Sequence, residues 1–260
     1  MPDPIVATGA ASGIGRAVCE QLVAQGHDVI GLDLRPTDVT GVTSVVCDLT
    51  DADSIDAALE QIGPQIAGLV NCAGLPGTHR PERVLTVNLL AARRLAGALA
   101  QRIPRGGAVV NVASVAAMRS DRSDGDVAEI LSASDAAALQ WLAEAGLEGP
   151  AAYDFSKKAL VALTLANSAQ WLSRGVRCVS VSPGPTATPI LGDFERSMGA
   201  DRIRASAEAV GGHAEPQDVA GIVVFLLGAS ARWINGIDVR VDGGLLGSRL
   251  APTIRTSQAR

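Results

Sequence analysis

Short apolar runs rich in Val, Ile and Leu alternate along this chain with longer Ala- and Leu-rich stretches of helical periodicity. Apolar runs without polar alternation are typical of strands covered on both faces, and strands that alternate with helices are typical of parallel sheets. The pattern predicts an α/β fold with a doubly wound parallel sheet. The predicted strands are residues 5–8, 28–33, 43–47, 66–71, 108–112, 176–181 and 237–241, and the predicted helices are residues 14–25, 51–62 (with Thr50 as N-cap), 83–101, 151–172 and 216–227.

Residues 117–150 interrupt this alternation between a strand and a helix. They open with the polar run Arg119-Ser-Asp-Arg-Ser-Asp-Gly and continue with two short helical patterns. The second pattern starts at Ser134, a good N-cap, and ends at Gly146. Because long connections without secondary structure are uncommon in compact domains, we expect a small helical insertion here.

Composition supports one domain over residues 1–260 and limits its partners. The chain is 47% hydrophobic and carries a formal net charge of -5 without a basic run, so we expect no nucleic-acid partner. The longest apolar run, residues 222–227, is too short to cross a membrane, and the N-terminal Met-Pro-Asp-Pro lacks the features of a signal peptide. The four cysteines are far apart and the three histidines show no metal-ligand spacing. We therefore expect free thiols, no metal, no membrane partner and a cytoplasmic location.

A glycine-rich turn, Thr-Gly-Ala-Ala-Ser-Gly-Ile-Gly, joins the first strand to the first helix. Gly9 allows a sharp turn, Gly13 allows the backbone to approach a pyrophosphate, and Gly15 allows close packing of helix on strand. The helix N-terminus adds N–H donors and the positive end of its dipole. The turn therefore predicts a dinucleotide site that includes Ser12 and Ile14.

Two aspartates follow the next strands and are candidates for the adenosine end of this site. Asp33, followed by Leu34, ends the second strand, where a carboxylate can accept both ribose hydroxyls. It would repel a 2′-phosphate and so select NAD over NADP. Arg35 could bind such a phosphate, although a surface arginine is the preferred interpretation. Asp48, followed by Leu49, is placed to meet the adenine, but capping of a turn explains its position nearly as well.

Tyr153 and Lys157 lie four residues apart in a predicted helix, so both side chains project from one face. Tyr153 is also the only tyrosine of the chain. A nearby ammonium favours the phenolate, so we expect Lys157 to lower the pKa of Tyr153 and make it a general acid/base. Taken alone, the pair would more often be surface decoration on a helix.

The order of these motifs is similar to that of the short-chain dehydrogenases/reductases, whose single domain has a Rossmann-type sheet. The resemblance covers nearly the whole chain, and it rests on the following motifs: Thr-Gly-x-x-x-Gly-Ile-Gly at 8–15, Asn-Cys-Ala-Gly at 71–74, Asn88, Ser114, Tyr153-x-x-x-Lys157 and Pro-Gly-Pro-Thr-Ala-Thr at 183–188. It implies an NAD(P)-dependent oxidoreductase that acts on alcohols and ketones.

The resemblance also implies a role for each matching residue. Tyr153 exchanges a proton with the substrate oxygen, Ser114 hydrogen-bonds that oxygen, and Lys157 binds the nicotinamide ribose. Asn88 holds a water that links Lys157 to solvent. Other residues bind the cofactor: Asn71, Ala73 and Gly74 beside the adenine-side ribose, and Pro183, Gly184, Thr186 and Thr188 beside the nicotinamide.

Two departures from the usual family pattern point to one branch. Ser114 and Tyr153 are unusually far apart, and the segment from Gly74 to Asn88 is short. Both features resemble the bacterial 3α-hydroxysteroid dehydrogenase/carbonyl reductase branch. Family tetramers pack through the two long helices that the insertion adjoins, so we expect a homodimer, with a tetramer as the alternative.

The substrate side of the site is predicted to be apolar. Residues 189–212 contain several glycines and are predicted to form a mobile lid. The expected substrate is a small, apolar, cyclic or aromatic secondary alcohol or ketone, either a hydroxysteroid or a xenobiotic aryl compound. A sugar or polyol dehydrogenase and a non-catalytic dinucleotide-binding sensor remain as alternatives. The candidate substrate contacts are Ser114, Met118, Tyr153, Pro185, Ile190 and Leu191, followed by Phe194 and Met198.

Overall fold

Seven parallel strands form one sheet in the order β3-β2-β1-β4-β5-β6-β7. The computed structural model describes residues 3–251. Strand order reverses beside β1, since the chain first builds β2 and β3 on one side and then β4 on the other. The predicted fold class is therefore confirmed. The strands are β1 (Ile5–Thr8), β2 (Val29–Asp33), β3 (Val42–Val46), β4 (Gly68–Asn71), β5 (Ala108–Val112), β6 (Arg177–Pro183) and β7 (Asp238–Val241).

Helices cover both faces of the sheet and bury its apolar side chains. One face packs on α1 and α10, and the other packs on α2, α4 and the end of α7. The helices are α1 (Gly13–Ala24), α2 (Ala52–Gln61), α3 (Pro81–Leu85), α4 (Ala91–Leu99), α5 (Asp124–Ser132), α6 (Asp135–Glu144), α7 (Gly149–Gln170), α8 (Leu191–Met198), α9 (Ala200–Glu208), α10 (Pro216–Leu227) and α11 (Leu245–Leu250). Within residues 3–251, no helix is long and apolar enough to cross a membrane.

The expectation that all strands are covered on both faces is wrong for the two edges. Strands β1, β4, β5 and β6 are buried along their whole length, whereas β3 and β7 have partly exposed side chains. An edge strand has a neighbour on one side only, so its flanking helices shield it less. The interior strands therefore hold the core, and their ends give the site a rigid base.

Two helix details differ from the sequence prediction. The N-cap of α2 is Asp51, whose side chain accepts a hydrogen bond from the backbone of Asp53, rather than Thr50. The long helix predicted over residues 83–101 begins earlier, at Pro81, and contains a π-helical turn at Thr86–Leu90 between α3 and α4. Side-chain contacts with other elements hold this turn, and such contacts are not visible in local periodicity.

The predicted helical insertion is present as α5 and α6, each opened by a serine N-cap. Ser123 forms a capping box with Asp126, and Ser134 caps α6 as predicted. Trp141 of α6 stacks on Phe155 of α7 with ring centroids 5.0 Å apart. The insertion thus packs directly on the helix that carries the Tyr/Lys pair. Its buried apolar residues are Val127, Ile130, Ala138, Leu142 and Leu147.

Candidate active site

The carboxyl ends of the strands open into an elongated cavity of about 420 Å³. One end lies beside the loops after β1, β2 and β3, and the other lies beneath α8, α9 and α11. Ligands of open parallel sheets bind at this edge, beside the point where strand order reverses. The cavity is therefore the candidate active site.

The glycine-rich turn forms one wall and leaves helix donors without acceptors. Gly9 has a φ of +72°, and a Cβ at Gly15 would lie 2.2 Å from the carbonyl oxygen of Gly9, so both positions require glycine. The side chain of the N-cap, Ser12, makes no capping hydrogen bond, and the first turn of α1 has no acidic residue. Free backbone N–H groups at a helix N-terminus attract anions. This wall, which also includes Gly13 and Ile14, therefore fits the pyrophosphate of a dinucleotide.

Asp33 presents its carboxylate to the cavity at the end of β2. Its two oxygens accept hydrogen bonds from the backbone N–H groups of Ala11 and Arg35, both at 3.1 Å. A carboxylate oxygen can accept more than one hydrogen bond, so Asp33 retains capacity for ribose hydroxyls. The side chain of Arg35 lines the same region and is exposed.

Asp48 both caps a turn and lines the cavity, so the two interpretations offered by the sequence are compatible. One of its oxygens accepts from the backbone N–H and the hydroxyl of Thr50, at 2.8 and 2.7 Å. These hydrogen bonds lower the pKa of the Asp48 carboxyl. The other oxygen is available to a ligand. The neighbouring Leu34 and Leu49 also line this end.

Asn71 does not reach the cavity, in contrast to the implied contact with the cofactor. It is 4% exposed, and its Nδ2 donates to the Oδ1 of Asn111 at 2.8 Å. The amide pair links β4 to β5 on the face of the sheet that α4 and α7 cover, where the two amides also donate to the carbonyl of Ala92 and the hydroxyl of Thr164. Ala73 and Gly74, the other two residues of this predicted group, line the cavity.

Tyr153, Lys157 and Ser114 meet at the middle of the cavity. The ammonium of Lys157 donates to the carbonyl oxygen of Val112 at 2.9 Å and lies 5.9 Å from the centre of the Tyr153 ring. The Ser114 hydroxyl lines the cavity beside Tyr153, whose pKa it lowers, and it accepts a hydrogen bond from the backbone N–H of Ala116 at 3.1 Å. A phenol, a hydroxyl and an ammonium therefore share one site, a set suited to proton exchange with a bound oxygen.

Burial dominates the ionisation of this group. It raises the pKa of Tyr153 to about 12, although the nearby Ser114 hydroxyl opposes the rise, and it lowers the pKa of Lys157 to about 8. The expectation that Lys157 lowers the pKa of Tyr153 below its usual range is therefore wrong for this structure. Both groups are desolvated, and the ammonium is bonded to a carbonyl rather than to the phenol.

Asn88 lies in the π-helical turn and does not line the cavity. Its Oδ1 accepts from the backbone N–H of Leu75 at 2.7 Å, and its Nδ2 donates to the carbonyl of Leu75 at 3.1 Å and to the hydroxyl of Ser156 at 3.0 Å. Asn88 thereby fixes the loop that carries Gly74 against the helix that carries Lys157. Its side chain is occupied by these contacts, so its position supports the site from behind.

The segment that follows β6 forms another wall of the cavity. Pro183 is the last residue of β6, whereas the sequence prediction placed it after the strand. Gly184 follows and lies close to Asp242. A Cβ at Gly184 would lie 2.9 Å from the Cα of Asp242, so the close approach requires glycine. Thr186 and Thr188, for which the resemblance implies contact with the nicotinamide, also line this wall.

Apolar side chains continue the cavity beyond Tyr153. Phe194 packs edge-on against the Tyr153 ring with centroids 5.1 Å apart. Of the predicted substrate contacts, Met118 is the exception: it is 64% exposed and does not line the cavity, because it points outward from the short turn after Ser114. The predicted residues that do line this part are Pro185, Ile190, Leu191, Phe194 and Met198.

Several lining residues were not predicted from the sequence. Arg119 enters from the turn after Ser114, Arg83 enters from α3, and four residues enter from α9 and α11. No motif marks them, since their approach to the site depends on how distant segments pack. These additional residues include Arg83, Arg119, Ile203, Ser206, Leu245 and Arg249.

A doubly wound sheet, a glycine-rich wall that fits a dinucleotide and a Ser/Tyr/Lys group together indicate the class of nucleotide-dependent oxidoreductases. Comparisons with known proteins agree with this class. Residues 4–125 match the family model "short chain dehydrogenase", and residues 137–246 match the model "Enoyl-(Acyl carrier protein) reductase". This chain belongs to the short-chain dehydrogenase/reductase family, and it is an oxidoreductase that acts on alcohols or ketones with a dinucleotide cofactor.

Its relatives cover nearly the whole chain. The coniferyl-alcohol dehydrogenase of Pseudomonas sp. is 35% identical over 93% of this chain and 95% of that protein. The 3-alpha-hydroxysteroid dehydrogenase/carbonyl reductase of Comamonas testosteroni is 32% identical over 93% and 95%. The crystal structure of a 3-alpha-hydroxysteroid dehydrogenase from Pseudomonas sp. B-0831 complexed with NADH has a TM-score of 0.84 and 34% identity, over 96% of this chain and 99% of that one.

Proposed function

We propose that this protein is an NAD-dependent dehydrogenase/reductase that interconverts a secondary alcohol and a ketone on an apolar cyclic or aromatic substrate. The observation that carries the proposal is the continuity of the cavity. Ser114 and Tyr153 stand where the dinucleotide wall ends and an apolar wall begins. A ligand whose oxygen reaches Tyr153 would therefore have its carbon skeleton against apolar side chains.

The chain's own residues would manage the proton and the geometry of this reaction. The bound cofactor supplies the hydride acceptor or donor. Ser114 holds the substrate oxygen by a hydrogen bond and Tyr153 exchanges a proton with it, so that no free alkoxide forms in a poorly solvating pocket. Lys157, buried at the same site, would bind the nicotinamide ribose of the cofactor.

The preference for NAD is proposed from Asp33. A 2′-phosphate near this carboxylate would meet like-charge repulsion, whereas ribose hydroxyls would find an acceptor. Arg35 is the feature that would favour NADP, because its exposed guanidinium also lines this end. The solved structure of a relative complexed with NADH supports the preference for NAD.

The substrate class is proposed from the apolar wall and from the relatives. The side chains beyond Tyr153 are mainly aliphatic, aromatic or thioether groups, and such walls suit rings with few polar substituents. Two relatives are named for hydroxysteroids and one for coniferyl alcohol, so both ring systems belong in the first tests. A sugar or polyol would leave most of its hydroxyls without partners on this wall.

A substrate panel tests the proposed function directly. Purified protein is incubated with NAD and a set of hydroxysteroids, aryl carbinols and polyols, and NADH formation is followed by absorbance. We expect turnover of at least one hydroxysteroid or aryl carbinol and little with polyols. Turnover confined to polyols would overturn the substrate class, and no turnover across the panel would favour the non-catalytic sensor.

Tyr153→Phe is the control for this panel. The variant removes only the phenolic hydroxyl, so we expect NADH binding to persist while kcat falls by about 100-fold or more. NADH fluorescence measures binding, and initial rates on the best substrate measure kcat. A near-normal kcat would contradict the acid/base role of Tyr153.

We further propose a homodimer that works in the cytoplasm. The insertion packs on the face of α4 and α7 that family tetramers would use, which favours the smaller assembly. The four cysteines are free thiols and three are buried, which suits a reducing compartment. Light scattering tests the assembly, and cell fractionation tests the location.

A further inference from the structure

Arg119 joins three elements that surround the reacting tyrosine. Its Nε donates to Oδ2 of Asp154 at 2.9 Å and its Nη2 donates to Oδ1 of the same carboxylate at 2.5 Å. The same Nη2 also lies 3.2 Å from the sulfur of Met198, at the end of α8. A guanidinium fork on a carboxylate is a strong and directional pair.

The position of this pair distinguishes it from ordinary surface ion pairs. The side chains of Arg119 and Asp154 are only 23% and 11% exposed, and Arg119 lines the cavity. Asp154 is the chain neighbour of Tyr153 on α7, and Met198 packs in the small apolar cluster that contains Tyr153. Screening by water is therefore weaker here than for exposed pairs, whose effects are small.

We propose that Arg119 is a positioning residue, which acts on Tyr153 through its ion pair with Asp154 and on the substrate-side helix α8 through Met198. The inference rests on the proposed function, because it assumes that Tyr153 is the acid/base. In this arrangement Arg119 neutralises a carboxylate that would otherwise stand unpaired beside the phenol. It also ties the end of α8 to the catalytic helix.

The ionisation of Tyr153 is consistent with this role. The negative charge of Asp154 raises the pKa of Tyr153, and the positive charge of Arg119 lowers it. The two effects oppose each other while the pair is intact. Loss of either partner would leave the other charge acting alone on the phenol.

Few other charged groups face Tyr153. On its own helix the charged neighbours are Asp154 and Lys157, and the turn after Ser114 contributes Arg119. Among the described residues, the other members of its cluster are apolar: Leu75, Val84, Ala116, Phe194 and Met198. Substitutions in the Arg119–Asp154 pair can therefore change the electrostatic potential at Tyr153 while its apolar neighbours stay the same.

Tyr153 offers a direct measurement, because it is the only tyrosine in the chain. Tyrosinate absorbance therefore reports this residue alone, without substrate and without turnover. Rapid pH jumps in a stopped-flow instrument record the signal before alkaline unfolding, and tryptophan fluorescence monitors the fold. The titration gives a result even if the substrate panel fails, so the inference and the proposed function can fail separately.

Two single variants are expected to move the titration in opposite directions. Asp154→Asn should lower the pKa of Tyr153 by about one pH unit, and Arg119→Gln should raise it by about one pH unit. The double variant should titrate close to wild type. Displacements in the same direction, or none in either variant, would overturn the proposal, because a purely structural pair predicts similar effects of both changes.

Arg122→Gln is the matched control. Arg122 belongs to the same polar run but donates to the carbonyl of Ala145 and stacks over Trp141 in the insertion. The same substitution there should leave both the titration and the turnover unchanged. A displacement equal to that of Arg119→Gln would show a general effect of losing a cation and would count against the proposal.

Arg119→Lys separates the charge from the contact with α8. Lysine keeps the positive charge, but it cannot bind both carboxylate oxygens and the sulfur of Met198 at once. We expect a titration near wild type together with a KM for the apolar substrate that is raised several-fold. An unchanged KM would remove the second part of the proposal and leave the electrostatic part standing on the titration.

Discussion

Tyr153 is buried at 6% exposure, and this environment determines its protonation state at neutral pH. Burial raises the pKa of Tyr153 to about 12, so the side chain is a neutral phenol at neutral pH. A phenol is ready to donate a proton to a ketone oxygen, whereas oxidation of an alcohol needs the phenolate as acceptor. The two directions of the reaction therefore differ in their dependence on pH.

We predict that the rates of alcohol oxidation and ketone reduction depend differently on pH. Alcohol oxidation should become faster as pH rises, by about tenfold in kcat/KM per pH unit while the phenolate is the minor form. Ketone reduction should show no such rise, because the phenol that donates the proton is already the dominant form at neutral pH. Initial rates in both directions across the range where the fold is stable test this. A flat oxidation profile would contradict it.

Asp33 carries the prediction for cofactor choice. Asp33→Ala removes an acceptor for the ribose hydroxyls and the charge that repels a 2′-phosphate. The ratio of kcat/KM for NAD to that for NADP should fall by about tenfold or more, since a hydrogen bond to a charged group contributes ~1.5–3 kcal/mol. Steady-state kinetics with each cofactor give the ratio.

Asp38→Ala is the matched control for Asp33. It also removes an aspartate, but Asp38 is an exposed partner of Arg16 and does not line the cavity. The ratio should not change in this variant. An unchanged ratio in Asp33→Ala as well would mean that Asp33 does not read the ribose.

Residues in compact local motifs could be assigned from the sequence, and others could not. The glycine turn and the Tyr153/Lys157 pair are recognisable because their spacing alone determines which side chains meet. Asn71 has the right position in a motif, but its side chain points away from the cavity into the amide pair with Asn111. Arg119 escaped detection because its partner Asp154 is 35 residues away and only packing brings them together.

At the scale of elements, periodicity located the helices and strands but not their irregularities. The strand at 108–112 and the helix at 216–227 have the predicted bounds. The π-helical turn at Thr86–Leu90 was missed because it coincides with the contacts of Asn88 to Leu75 and Ser156. Those contacts join segments distant in sequence, and π-turns often mark such functional positions.

The insertion should stabilise the catalytic helix by ordinary apolar packing. Leu142 of α6 is 1% exposed within the cluster that includes Phe155 of α7. Leu142→Ala should lower the free energy of unfolding by ~2–5 kcal/mol, since it leaves a cavity in that cluster. Denaturant unfolding followed by tryptophan fluorescence measures the loss.

Leu139→Ala is the matched control on the same helix. Leu139 is only partly buried against the cluster, so the same substitution should cost less than that at Leu142. Equal losses in the two variants would show that the helix is destabilised through propensity or fraying rather than through its packing on α7.

Two parts of the molecular surface are candidates for contact between subunits. The helices α5 and α6 share a buried cluster with α4 and α7, so they occupy part of the face that these two helices would offer to a tetramer. Large apolar side chains are exposed elsewhere: Phe225 on α10, and Trp233 and Ile237 before β7, with Trp233 92% exposed. These three side chains come from one stretch of the chain, residues 225–237, and exposed apolar groups favour association.

We predict a dimer that forms through this C-terminal surface. Trp233→Lys places a charge where a second copy would pack, and it should convert the dimer to monomers at micromolar protein. Leu165→Lys is the matched control, because Leu165 is 52% exposed on α7, the helix of the alternative interface. Light scattering gives the mass of each protein. A stable wild-type tetramer, or dissociation caused by Leu165→Lys and not by Trp233→Lys, would place the interface on the long helices and refute the prediction.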